Sequence, residues 1–177
     1  MRLIYTILFI FLIPLIAISQ EEDNDYYSIE INTGDKPECV SCNTRYELNL
    51  DNYLRIDASG ATDVVVKIIN SNTEECIRCV FISGGSRYEI ANIPEGVFYL
   101  KIAYGYDWSK KVSGGFCFAK FLRDAHYQIG NDLLDYYLKK SDLGVQVPSY
   151  ELELRVISNN LKNEFEADNI SEEEFYK

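Results

Sequence analysis

The residues with the most obvious chemistry are sulfurs. Cys39-Val40-Ser41-Cys42 and Cys76-Ile77-Arg78-Cys79 form two Cys-x-x-Cys pairs, and Cys117 stands apart from both. Four thiolates in two such pairs are the donor set of a tetrahedral zinc site, so Cys39, Cys42, Cys76 and Cys79 are the candidate metal ligands of one reading. Two features oppose it. The 33 residues between the pairs exceed the usual spacing of a zinc ribbon, and a regular strand through Cys76 and Cys79 sends the two side chains to opposite faces. Redox catalysis is disfavoured because a reactive Cys-x-x-Cys opens a helix, and neither pair opens a helical pattern. Outside the zinc alternative, no cofactor is expected.

The other reactive types are thinly placed. His126 is the single histidine, in Arg123-Asp124-Ala125-His126, and there is no Gly-x-Ser-x-Gly. A Cys-His or Ser-His pair would have to use it, and an ordinary surface histidine is the simpler account. The 28 acidic residues offer many carboxylate pairs for a hydrolase, but a solvated acidic surface predicts the same residues. Tyr104, Tyr106 and Trp108 alternate around Gly105 and form the candidate binding surface, since aromatic side chains anchor interfaces. The competing account has Tyr104 and Trp108 plugging the end of a core, with Tyr106 over an edge.

These residues must be positioned by a chain of 177 residues with a formal charge of −11. Residues 1–19 read as a secretory leader: Arg2, then an apolar run over 3–17, then small residues at Ala17 and Ser19. The run is shorter than the ~20 residues that cross a bilayer, and no later stretch is apolar enough, so no integral membrane segment is expected after cleavage. The remaining 158 residues carry 16 basic and 28 acidic side chains, enough chain for one core. An excess of acid repels phosphate backbones and anionic lipid, which excludes nucleic acid as an expected partner. The expected location is periplasmic or extracellular.

Export makes disulfides the expected state of the cysteines. Five is odd, so one thiol is left over. Cys76 with Cys117 is the expected bridge, because both fall near strand ends. Cys39 with Cys42 is its short-loop companion, leaving Cys79 as a buried spare.

Residues 20–44 read as an acidic leader followed by a turn-rich loop, 45–157 as the folded domain and 158–177 as an acidic tail. In 63–70, Val64, Val66 and Ile68 alternate with Val65, Lys67 and Ile69, and β-branched residues dominate, which predicts a strand. Strands are also expected over 76–82, 87–93, 97–104, 116–121, 133–138 and 150–157. Ser83-Gly84-Gly85-Ser86 and Ser113-Gly114-Gly115 supply hairpin turns. Residues 122–132 fit a short helical turn or a loop. Ser171-Glu172-Glu173-Glu174 has capping-box spacing, with room for one helical turn. About seven short strands with turn signals between them predict an all-β, antiparallel β-sandwich with a short irregular tail.

The segment from Asp63-Val64-Val65-Val66-Lys67 to Ile93-Pro94-Glu95-Gly96-Val97-Phe98-Tyr99-Leu100-Lys101-Ile102 resembles the core of transthyretin-like and carboxypeptidase-regulatory-like modules. There, a strand, a hairpin and a Pro-Gly turn lead into an aromatic-rich strand. The whole chain is similar to secreted bacterial proteins built around such a module, with an Ala-Tyr-Gly-x-Asp-Trp stretch after the turn. The resemblance implies export and a sandwich fold and brings no catalytic residues. The expected function is a secreted, non-catalytic binding module for a protein or glycan partner. The alternatives are a zinc-binding or redox protein using the two cysteine pairs, and a hydrolase with an acidic pair.

Overall fold

The computed structural model describes residues 25–58, 62–142, 144–157, 160–163 and 166–177. The expected leader, 1–19, lies outside the described residues. In chain order the strands are β1 (Tyr27–Ser28), β2 (Tyr53–Asp57), β3 (Asp63–Asn70), β4 (Cys76–Ile82), β5 (Arg87–Ala91), β6 (Val97–Ser113), β7 (Phe116–Gly130), β8 (Leu134–Asp135), β9 (Lys139–Ser141), β10 (Gly144–Gln146), β11 (Tyr150–Ile157), β12 (Asn160–Asn163) and β13 (Ala167–Asn169). A short helix, α1 (Glu172–Tyr176), follows.

A seven-stranded sheet runs β13-β7-β6-β3-β4, with β1 and β8 also paired to β6, and a four-stranded sheet runs β12-β11-β2-β5. The fold is therefore all-β and sandwich-like. Strand pairs are antiparallel with one exception: β11 lies parallel to β2, Tyr150 beside Leu54 and Glu153 beside Asp57. Strands β3 to β10 lie between those two in the chain, so no hairpin sets their relative direction. The strand count exceeds the expected seven. Most of the additions are strands of two to four residues, too short to show a hydrophobic period.

The large sheet is buried on both faces around β3 and the first half of β6. On one face Val64, Val66, Ile68, Phe98, Leu100, Ile102 and Tyr104 meet Leu54, Ile56, Ile90 and Leu152 of the small sheet. On the other, Val65, Ile69, Phe81, Ala103, Trp108, Phe121 and Tyr127 pack under Ile29, Ile31, Val40 and Cys42 from the N-terminal strap and Phe175 from α1. On that second face of 97–104, Val97 and Tyr99 are half-buried and Lys101 and Ala103 buried. The near-continuous Val64-Val65-Val66-Lys67-Ile68-Ile69 run is the signature of a strand covered on both sides.

Residues on either side of 45–157 therefore complete the second core. Residues 32–44 are irregular, as expected, yet they are a cover and not a free loop. In the tail, Ser171 caps α1 by accepting from the Glu174 N–H at 3.1 Å, and Phe175 is fully buried.

Residues 122–130 are strand, neither helical turn nor loop. The pairing of β6 with β7 slips between Tyr104↔His126 and Tyr106↔Arg123, and Asp107 and Asp124 take positive φ. This bulge shifts the two-residue period, which hid the strand in the sequence. Gly105 sits inside it, where a Cβ would lie 2.6 Å from Phe121 Cβ, so only glycine permits the close crossing. Of the strand expected over 133–138, only Leu134–Asp135 pairs. β5 stops at Ala91, and the Asn52 side chain then clasps the Ile93 backbone, donating to its carbonyl at 2.8 Å and accepting from its N–H at 2.7 Å.

Candidate interaction surface

The sulfurs pair differently from the expectation. Cys39 bonds Cys117 and Cys42 bonds Cys76, leaving Cys79 free and buried. Cys76 and Cys117 lie on strands β4 and β7, with β3 and β6 between them. They are three strands apart, and along β6 they are level with Tyr99 and Val112 respectively, beyond disulfide reach. The strap decides the pairing. It crosses the second face with Cys42 over the start of β4, where the Asn43 N–H donates to the Cys76 carbonyl at 2.9 Å, and Cys39 over the β6–β7 hairpin.

A bulge between Ile68 and Ile69, opposite Ile77, places Cys76 and Cys79 in the same core. The expected opposite facing is corrected. The four candidate zinc ligands are not a thiolate set, since Cys39, Cys42 and Cys76 are each bonded. Among the described residues no three His, Cys, Asp or Glu are grouped with metal-binding geometry.

Burial pushes the Cys79 thiol up to about 12, against the pull of Lys67. We expect no reaction of the native protein with a thiol reagent and one reactive thiol after denaturation. The folded thiol keeps its proton to higher pH than the unfolded one, so its contribution is intact below its ordinary value of 9.0 and is lost as pH rises towards about 12. Lys67, pushed down by burial, acts with the opposite sign. Cys79→Ala should therefore make the alkaline loss of stability shallower, measured by urea unfolding on both sides of pH 9.0.

The expected aromatic platform does not form. Tyr104 and Trp108 are buried in different cores, on either side of the irregular stretch where Asp107 takes positive φ. Trp108 packs edge-on to Phe121 at 4.8 Å. Tyr106 is half-buried, with Arg123 over its ring at 4.6 Å, and Arg123 is tied to Asp107 at 2.9 Å. His126 is exposed on β7. On the outer face of the small sheet, carboxylates alternate with arginines: Arg55 bonds Glu89 at 2.9 Å and also Glu151, and Arg87 bonds Asp57 at 2.5 Å. This is an ion-pair lattice on a solvated face.

The surface feature that the sequence reading passed over is an arm. β3 accompanies β6 only as far as Gly105; beyond it the β6–β7 ribbon continues to Ser113↔Phe116, flanked at Ser109 and Lys110 by β1. Ten large hydrophobic side chains are exposed among the described residues, and five are here: Tyr27, Val112, Phe116, Phe118 and Leu122. Residues 108–122 contain no acid and three lysines. Lys110 pairs with Glu38, Lys111 with Asp25 at 3.2 Å, and Lys120 lies 5.0 Å from the Tyr26 ring centre. The Cys39–Cys117 bond ties the arm to the strap.

No family model, curated protein or solved structure matches this chain. The arm was legible in part: Phe116 and Phe118 alternate with Cys117 and Ala119 in an acid-free stretch of an acidic chain. Its exposure follows from the end of the β3 pairing at Gly105, which the residues of the arm themselves do not encode. Among the described residues no helix is long and apolar enough to cross a membrane.

Proposed function

We propose that this protein is an exported, non-catalytic binding module, of the transthyretin-like kind suggested by residues 63–102, and that it meets its partner with the β6–β7 arm. The carrying observation is the concentration of exposed apolar side chains there: four of the ten large ones on the described surface lie on the arm, and Tyr27 of the flanking β1 is a fifth. Monomeric proteins rarely leave such side chains together without a binding role. The two disulfides suit an oxidising compartment. The zinc and redox alternative loses three of its four thiols to those bonds.

Hydroxyl-radical footprinting of the secreted protein, alone and mixed with an envelope fraction of its own cells, tests the reading. Protection at Phe116, Phe118 and Leu122, abolished in a Phe116→Ser, Phe118→Ser double variant, is the expected result. Protection confined to other surfaces would overturn it.

A further inference from the structure

We propose that the tip of the arm seats reversibly in the surface of a lipid bilayer with zwitterionic headgroups. This rests on the arm being the contact surface, and it names the partner. Residues 112–119, Val-Ser-Gly-Gly-Phe-Cys-Phe-Ala, carry no charged side chain. Their apolar groups cover both faces of the ribbon. Val112 pairs with Cys117 on the strap side, and Phe116 and Phe118 lie on the opposite side, paired with Ser113 and Lys111. Val112 is 60% exposed, Phe116 70% and Phe118 48%. The strap meets the ribbon on the Val112 side at Cys117, yet Val112 stays exposed beside it, so hydrocarbon reaches apolar side chains on both sides where a protein groove would receive one. A Cβ placed on Gly115 would meet no atom within 4 Å, so the turn itself is unobstructed.

The lysines stand behind this tip. Lys110 and Lys111 on β6 and Lys120 on β7 lie three to five residues from the Gly114-Gly115 turn, ~10–16 Å at ~3.3 Å per residue. An interfacial segment sinks ~5–10 Å, which takes in Val112 and Phe116 and reaches Phe118. The lysine stems then span the boundary with their ammonium groups at headgroup level. Glu38 and Asp25 occupy Lys110 and Lys111, so the belt has little net charge and apolar burial drives the insertion. The −11 charge of the chain works against an anionic surface, which selects zwitterionic lipid.

A second copy fits poorly. Apposing tips offer a few side chains each, far below the ~800 Å² per partner of a stable interface. The ribbon is already ordered, paired out to Ser113↔Phe116 and bonded through Cys117, so insertion loses little conformational entropy.

The test is sedimentation of the secreted protein with phosphatidylcholine vesicles. The Phe116→Ser, Phe118→Ser double variant should lower partitioning about a hundredfold or more, with the near-ultraviolet dichroism of Trp108 unchanged as the folding control. Phe116→Trp should show a blue-shifted emission that brominated phosphatidylcholine quenches. Replacing half of the lipid by phosphatidylglycerol should weaken binding, and binding that requires the anionic lipid would overturn the proposal. Failure of the unmodified protein to bind phosphatidylcholine, or equal binding by the double variant, would overturn it too. If vesicles fail but a membrane-free envelope extract protects Phe116 and Phe118, the arm serves a protein or glycan and only the lipid assignment falls. If neither protects them, the binding role of the arm falls as well.

Discussion

Reduction of the two disulfides is expected to unfold this protein in conditions where the oxidised form is stable. Cys39–Cys117 spans a sequence separation of 78 and Cys42–Cys76 one of 34. Loop-closure entropy at such lengths is worth about 4 kcal/mol per bridge, while a whole domain is stable by only about 5–15 kcal/mol. The native state adds a reason. Both bonds anchor the strap that carries Val40 over the second face of the large sheet, so reduction frees the cover from a core that holds Trp108, Phe81 and Phe121. Trp108 is the single tryptophan and is buried, so its emission reports this opening directly. Urea unfolding with and without reductant measures the effect. The Cys39→Ala, Cys117→Ala variant, which keeps Cys42–Cys76, should fall between the two curves. A midpoint that reductant barely moves would show that the strap is held by packing alone.

How much of this was readable follows from what each segment needs from its neighbours. β3 and β4 were legible because β-branched residues and a Gly-Gly turn act locally, and β11 because its alternation is clean. β2, with Leu54 and Ile56 buried between Tyr53, Arg55 and Asp57, showed the same period and was overlooked. The bulges at Ile68/Ile69 and Tyr104/Tyr106 were not legible, since one extra residue reverses every later side chain without changing composition. The extra residue Ile77 brought Cys79 to the same side as Cys76, and the irregular backbone at Asp107 lies between Tyr104 and Trp108. The bridge pattern was hidden for a different reason. It depends on the path of an irregular strap across four strands, and the spacing of Cys39 and Cys42 carries no trace of that path. The arm was hidden because an exposed Phe and a core Phe look alike until the neighbouring strand is seen to end.

A sheet covered on both faces must dispose of any charge on its central strands, and here the two cases are lysines. Lys67 on β3 and Lys101 on β6 are direct cross-strand neighbours, both buried, and they point to the face that α1 covers. Their ammonium groups donate to the carbonyls of Phe175 at 2.8 Å and Glu174 at 2.7 Å. These are carbonyls of the last turn of α1, where the helix leaves them without intrahelical partners. The two elements thus satisfy each other. A five-residue helix too short to persist alone is held by two cations, and the cations are held by the helix.

Phe175→Ala should therefore destabilise by more than its own volume. Loss of a fully buried Phe removes about 3–5 kcal/mol through transfer and cavity terms. Loosening α1 also withdraws the acceptors from two buried ammonium groups, and an uncompensated buried charge is itself strongly destabilising. Lys67→Met is expected to behave otherwise. It fills similar volume, removes the desolvated charge that burial already holds below the ordinary lysine range, and should change stability by less than about 1.5 kcal/mol. The pair makes a cycle: Phe175→Ala should cost less in the Lys67→Met, Lys101→Met background than in the native one, read by urea unfolding followed at Trp108. Equal costs in both backgrounds would mean that the lysines reach solvent once α1 loosens, and that Phe175 contributes packing alone.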